Sequence, residues 1–207
     1  LIPVVKAWAT DTGITVANTA IQVLGGAGYI EESGAPQYLR DLRVAAIWEG
    51  TNGIQALDLV GRKVARDRGA AAGALIADMR ALVGDLENHT GVEDLDVIGS
   101  TLKKAVDALE EATQWIVKTH ADAPERVAAG AVPYLQLMGT ATGGWLMGRA
   151  ALAAHKRLEA GEDSHFLRKK MLSSRFFTDQ ILIQVPVLAA TVTDGWAAIL
   201  RGGENNP

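Results

Sequence analysis

The chain reads as all-α, and three features of its sequence say so. Apolar residues recur at helical spacing along most of its length, the β-branched alternation of half-buried strands is nearly absent, and aromatics are scarce beside abundant Ala, Leu and Val. With 207 residues, 48% of them hydrophobic, there is material for one large or two small cores, at roughly 100 to 200 residues per domain.

Taken in order, 10–24 is an expected helix with Ile14, Ala17, Ile21 and Leu24 on one face, and Gly25 is placed to stop it in a left-handed cap. Residues 1–9 read as the end of a preceding helix. A loop over 25–35 follows, with Ser33 or Gly34 as a cap and Pro36 opening a helix that runs to residue 47. After a second loop, 49–53, Ile54, Leu57, Gly61 and Val64 form the face of another helix, and Arg62, Lys63, Arg66 and Arg68 crowd its C-terminus, where the helix dipole favours cations. The small-residue run 69–73 marks a boundary, so 1–68 and 69–207 are expected as separate domains.

The second part reads as an antiparallel bundle of four helices. Leu75, Met79, Leu82 and Leu86 make one stripe, closed by a polar turn at 87–91, and 93–119 holds a helical period through Leu95, Ile98, Leu102, Leu109, Ala112 and Ile116. A connector over 120–124 breaks it. Pro133 opens a helix to residue 160 whose Gly139, Gly143, Gly144 and Gly148 need a closely approaching partner to offset their poor helix propensity. A turn at 161–164 with Ser164 as N-cap leads into 166–184, Pro186 kinks or restarts the chain toward Trp196, and the tail from 202 reads as disordered.

A net charge of -4 argues against nucleic acid, which needs a concentrated cationic face. Residues 1–68 balance seven basic against seven acidic side chains, so the whole excess lies beyond them. The absence of cysteine excludes disulfides, thiolate metal sites and a cysteine nucleophile, and is consistent with a cytoplasmic origin. No apolar run approaches 18 residues, so no transmembrane segment is expected. The start at Leu1, in mid-pattern, suggests a piece of a longer polypeptide. His89, His120, His155 and His165 lack any metal-ligand spacing, and no metal is expected.

Chemistry is concentrated between Gln22 and Gln55. Gly25, Gly26 and Gly28 follow a helix rather than a strand, which rules out a dinucleotide fingerprint and leaves either a plain helix end or a corner open to a phosphate-bearing ligand. Glu49 follows the apolar run 44–48 and precedes Gly50. A ligand that covered it would strip its hydration and raise its pKa toward the range useful for proton abstraction, whereas a solvated loop Glu is the commoner situation. Thr51 and Asn52 read either as ligand contacts or as a helix cap. Arg40, Asp41 and Arg43 form an ion network on their helix, or an arginine there meets a ligand phosphate.

The segments 22–29 (QVLGGAGY), 38–41 (YLRD) and 47–55 (IWEGTNGIQ), in that order and spacing, resemble the C-terminal helical domain of flavin-dependent acyl-CoA dehydrogenases. The later helices are similar to the extra C-terminal domain of the longer bacterial members. The resemblance implies that Glu49 is the base taking the α-proton of an acyl-CoA thioester while a β-hydride passes to FAD. It further implies that the Glu49 amide helps to hold the thioester carbonyl, with Trp48 and Gly50 beside the substrate. Gln22 and Gly26, with Gly25 in the same corner, match contacts to FAD from a neighbouring subunit, and Thr51 matches one near the FAD of its own subunit.

A homo-oligomer, dimer or tetramer, follows from that sharing, and the resemblance further implies electron transfer to an electron-transfer flavoprotein in fatty acid β-oxidation. Trp48 stands where the family usually has Tyr, and Gly53 where a larger polar residue is frequent. The family's N-terminal and central domains are not in these 207 residues, so this portion alone is expected to be inactive. A non-enzymatic helical interaction module, or an oxidase passing electrons to oxygen, are the other readings.

Overall fold

A computed structural model describes residues 1–203 other than Thr90 and Asp163; part of the expected turn at 161–164 and residues 204–207 of the expected tail lie outside the described residues, while residues 202–203 of that tail end the last helix instead. Among those residues there are helices and no strands. They are α1 (Ile2–Leu24), the single turn α2 (Gly26–Tyr29), α3 (Ala35–Ala45), α4 (Asn52–Asp58), α5 (Ala70–Glu87), α6 (Glu93–Thr119), α7 (Pro124–Ala129), α8 (Ala131–Glu159), α9 (His165–Gln180), α10 (Val185–Asp194) and α11 (Trp196–Gly203).

Several local expectations are corrected. Residues 1–9 and 10–24 are one unbroken helix, because Pro3 sits in its first turn and the hydroxyls of Thr10, Thr15 and Thr19 bond back to carbonyls of the preceding turn instead of breaking it. Gly25 has a positive φ of 60° but a ψ of -141°, outside the left-handed helical region, and the loop after it contains α2 and a 3-10 turn at Glu31–Ser33. Ser164 occupies the position before α9 without a capping bond from its side chain. Pro186 restarts the helix as α10 after a 3-10 turn at Leu182–Gln184.

The largest departure follows α4, which continues as a π-helix over Leu59–Ala65. That wider turn rotates the apolar face: Ala56, Leu59, Val60 and Val64 are buried, while the expected face residues Ile54 and Leu57 are 57% and 45% exposed. Arg68 and Gly69 then turn the chain with positive φ values of 56° and 78°. The Asp67 carboxylate accepts hydrogen bonds from the Gly69 and Ala71 amides, satisfying donors that α5 would otherwise leave open.

The core is continuous across the chain. Val4, Ala7, Val60 and Val64 belong to the same buried cluster as Met79, Leu102 and Tyr134. α6 is its axis, packed by α5, α8, α9 and α10, with Leu95, Ile98, Leu102, Leu109 and Ile116 fully buried. The α8 glycines find the partners their cost requires: a Cβ at Gly139 would overlap the Trp8 indole of α1, one at Gly144 would meet Leu182, and one at Gly148 would press on Leu82. Burial pushes the Tyr134 phenol above its ordinary pKa, and its hydroxyl is 2.8 Å from that of Thr113.

The stretch His165–Asp194 is, by length and composition, long and apolar enough to cross a membrane, a test that the core helix of a soluble protein also passes. It is interrupted by the 3-10 turn and packs on α8 and α6.

Candidate active site

The loop between α3 and α4 is built on α1. Thr51 caps α4, its hydroxyl accepting from the Ile54 amide at 3.5 Å, so the capping alternative is realised. Asn52 faces inward rather than toward a ligand: its side-chain amide donates to the Ala7 carbonyl, Thr10 Oγ1 and Asp11 Oδ1 at 3.3, 3.0 and 2.7 Å. The Lys6 ammonium donates to Asn52 Oδ1 at 2.8 Å and to the Ala46 and Gly50 carbonyls at 3.2 and 2.6 Å. Neither Lys6 nor this use of Asn52 was legible in the sequence, since the partners lie 40 or more positions away and three of them are main-chain oxygens.

Held this way, Glu49 takes a φ of 55° and Gly50 a φ of 89°. A left-handed conformation costs a residue with a Cβ about 1 to 2 kcal/mol and survives only where surrounding contacts enforce it. The Glu49 carbonyl is tied as well, accepting from Gln55 Nε2 at 3.2 Å. The Glu49 side chain is exposed, and the apolar run before it does not bury it: only Ala46 goes into the core, while Trp48 and Ile47 are 68% and 54% exposed. Glu49, Gly50, Ile54, Gln55, Leu57, Asp58 and Arg62 line an open groove.

The second cluster lies at the other end of α1. Gln22, Gly25 and Gly26 are exposed, and a Cβ at Gly25 or Gly26 would meet nothing within 4 Å, so the corner leaves its main chain open to approach. Gly28 is different, since a Cβ there would sit 2.5 Å from the Ile21 carbonyl oxygen. Sixteen residues of helix separate Lys6 from Gln22, about 24 Å of rise, so one chain does not bring this corner to Glu49. Arg40 pairs with Glu31 at 3.1 and 2.5 Å, replacing the expected network with Asp41 and Arg43. Among the described residues no cluster suits a metal ion.

The site is thus an exposed acid on a strained, apolar-flanked turn of a helical scaffold. The chain belongs to the acyl-CoA dehydrogenase family: residues 1–65 match the family model described as acyl-CoA dehydrogenase, C-terminal domain, and 71–201 match the one described as acetyl-CoA dehydrogenase C-terminal like. It is 36% identical, over 97% of its length and 34% of the relative's, to a 3-methylmercaptopropionyl-CoA dehydrogenase of Ruegeria pomeroyi. It is 28% identical, over 92% of its length and 32% of the relative's, to the broad-specificity linear acyl-CoA dehydrogenase FadE5 of Mycobacterium tuberculosis. The fold matches an acyl-CoA dehydrogenase of Bacillus anthracis, solved with FAD, with a TM-score of 0.69 at 19% identity, covering 98% of this chain and 34% of that one. The chain thus spans about a third of the length of these relatives.

Proposed function

We propose that this chain is the C-terminal part of an FAD-dependent enzyme that dehydrogenates acyl-CoA thioesters between the α and β carbons, with Glu49 as the base. The observation that carries this reading is the Glu49–Gly50 turn, held at two consecutive positive φ values and flanked by exposed Trp48 and Ile54. In this scheme the Glu49 carboxylate takes the α-proton, the C–H electron pair becomes the new α,β double bond, and the β-hydrogen leaves with its electrons. Bound FAD would supply the acceptor for that hydride. The Glu49 amide would hold the thioester carbonyl, and polarising that carbonyl acidifies the α-carbon. Trp48 and Gly50 would flank the acyl chain and exclude water, which strengthens the base.

The open main chain at Gly25 and Gly26, beside exposed Gln22, fits an adenine dinucleotide. Its distance from Glu49 supports a cofactor shared between copies, and hence a homo-oligomer. An electron-transfer flavoprotein would then reoxidise the enzyme. Glu49→Gln in the intact protein tests the reading: flavin content should be retained while its reduction by acyl-CoA slows by at least the 10²- to 10⁴-fold typical of losing a general base. Reduction at the unaltered rate would overturn it.

A further inference from the structure

The proposed scheme gives no role to Lys6, the charged side chain that is hydrogen-bonded to the turn carrying the base. Lys6 is half-buried on α1 and directs its three donors at three different acceptors, the Ala46 carbonyl, the Gly50 carbonyl and Asn52 Oδ1. Two of these acceptors belong to the main chain on either side of Glu49. The third belongs to the residue that anchors the far end of the loop to Ala7, Thr10 and Asp11.

From this geometry we infer that Lys6 is a positioning residue for the proposed base: it fixes the left-handed Glu49–Gly50 turn, and with it the direction of the Glu49 carboxylate and amide. The inference rests on the assignment of Glu49. A φ of 55° at a residue with a Cβ relaxes unless it is held, and the tightest bond holding this turn is the 2.6 Å contact from Lys6 to the carbonyl next in sequence. Gln55 ties the Glu49 carbonyl itself, so the peptide planes before and after Gly50 are clamped by side chains from two different helices. A compact ammonium suits three divergent acceptors where a planar guanidinium does not. The purpose of such a clamp is precision, because a displacement of about 1 Å at a reacting group costs on the order of 10²-fold in rate.

The experiment uses the intact flavoprotein with Lys6→Met, Lys6→Gln and Glu49→Gln in parallel. Lys6→Met should keep its flavin and its KM while flavin reduction by acyl-CoA slows about 10- to 100-fold. The isotope effect for α-deuterated substrate should grow, because proton removal is the step impaired. Amide hydrogen exchange across residues 47–53 should accelerate without any change in α6, a readout independent of turnover. Lys6→Gln, which keeps one donor for the Gly50 carbonyl, should fall between Lys6→Met and wild type. Wild-type reduction rates in both Lys6 variants, beside an inactive Glu49→Gln, would overturn the positioning role and leave the base in place. Loss of flavin or of the folded state in Lys6→Gln would also overturn it, by making Lys6 a general fold contact. An active Glu49→Gln would instead remove the base assignment itself.

Discussion

The neighbourhood of α3 and the helix α6 handle apolar surface in opposite ways. α6 sinks Leu95, Ile98, Leu102, Leu109 and Ile116 completely, whereas α3 buries nothing and its surroundings leave Tyr29, Tyr38 and Trp48 at 82%, 71% and 68% exposure. α6 satisfies its hydrophobic pattern from within, although α9 and α10 leave Leu172, Phe176 and Val187 exposed. Around α3 the same kinds of side chain face outward, as expected of a surface that meets a partner body, and this chain spans about a third of the length of the relatives it matches. Burial therefore tells which helices hold the fold, and exposure tells which are waiting for company.

Truncation gives the largest contrast. Leu109→Ala should cost about 2 to 5 kcal/mol by denaturant unfolding, the range for a fully buried leucine. Trp48→Ala should change the stability of these 207 residues by less than about 0.5 kcal/mol, as for an exposed site. A large loss for Trp48→Ala in these residues alone would break the comparison, and one seen only in the intact protein would sharpen it.

A middling effect is expected where the first 68 residues meet the bundle. Gly139→Ala puts a methyl group into the Trp8 indole and should cost about 1 to 3 kcal/mol by overpacking, in a single unfolding transition. Two separate transitions would show that the continuous core does not couple the regions. The smallest effect belongs to the exposed Arg40–Glu31 pair. The hydrogen bond from Arg40 holds the Glu31 carboxyl below the usual carboxylate range, so its contribution is present above the unfolded pKa and lost as pH falls through the folded one. A Glu31→Gln variant should match wild type in acid, and at neutral pH any difference should fade with added salt.

How far the sequence foretold this depends on where each residue's partners lie. The bounds of α6, Glu93–Thr119, follow directly from its amphipathic period, because a long helix with one greasy stripe has a single way to bury it. The α8 glycines announced a close neighbour for the same local reason, although not that Trp8, over a hundred residues earlier, would be among those neighbours. The π-helix at Leu59–Ala65 was invisible, since a wider turn has no composition of its own, and it moved Ile54 and Leu57 from the expected core to the surface. Glu49 stood out from its flanking residues and from a family resemblance. The clamp on it did not, because Lys6 acts mainly through carbonyl oxygens that every residue type possesses.

The Trp8 indole wedged over Gly139 also bears on how this polypeptide can be dissected. A protease nick or an expression boundary at the Arg68–Gly69 corner would strip the second half of its plug, leaving an aromatic-sized slot along α8 and a half-buried tryptophan with nowhere to dock. Pieces cut there should be sticky when apart and should reassociate when mixed.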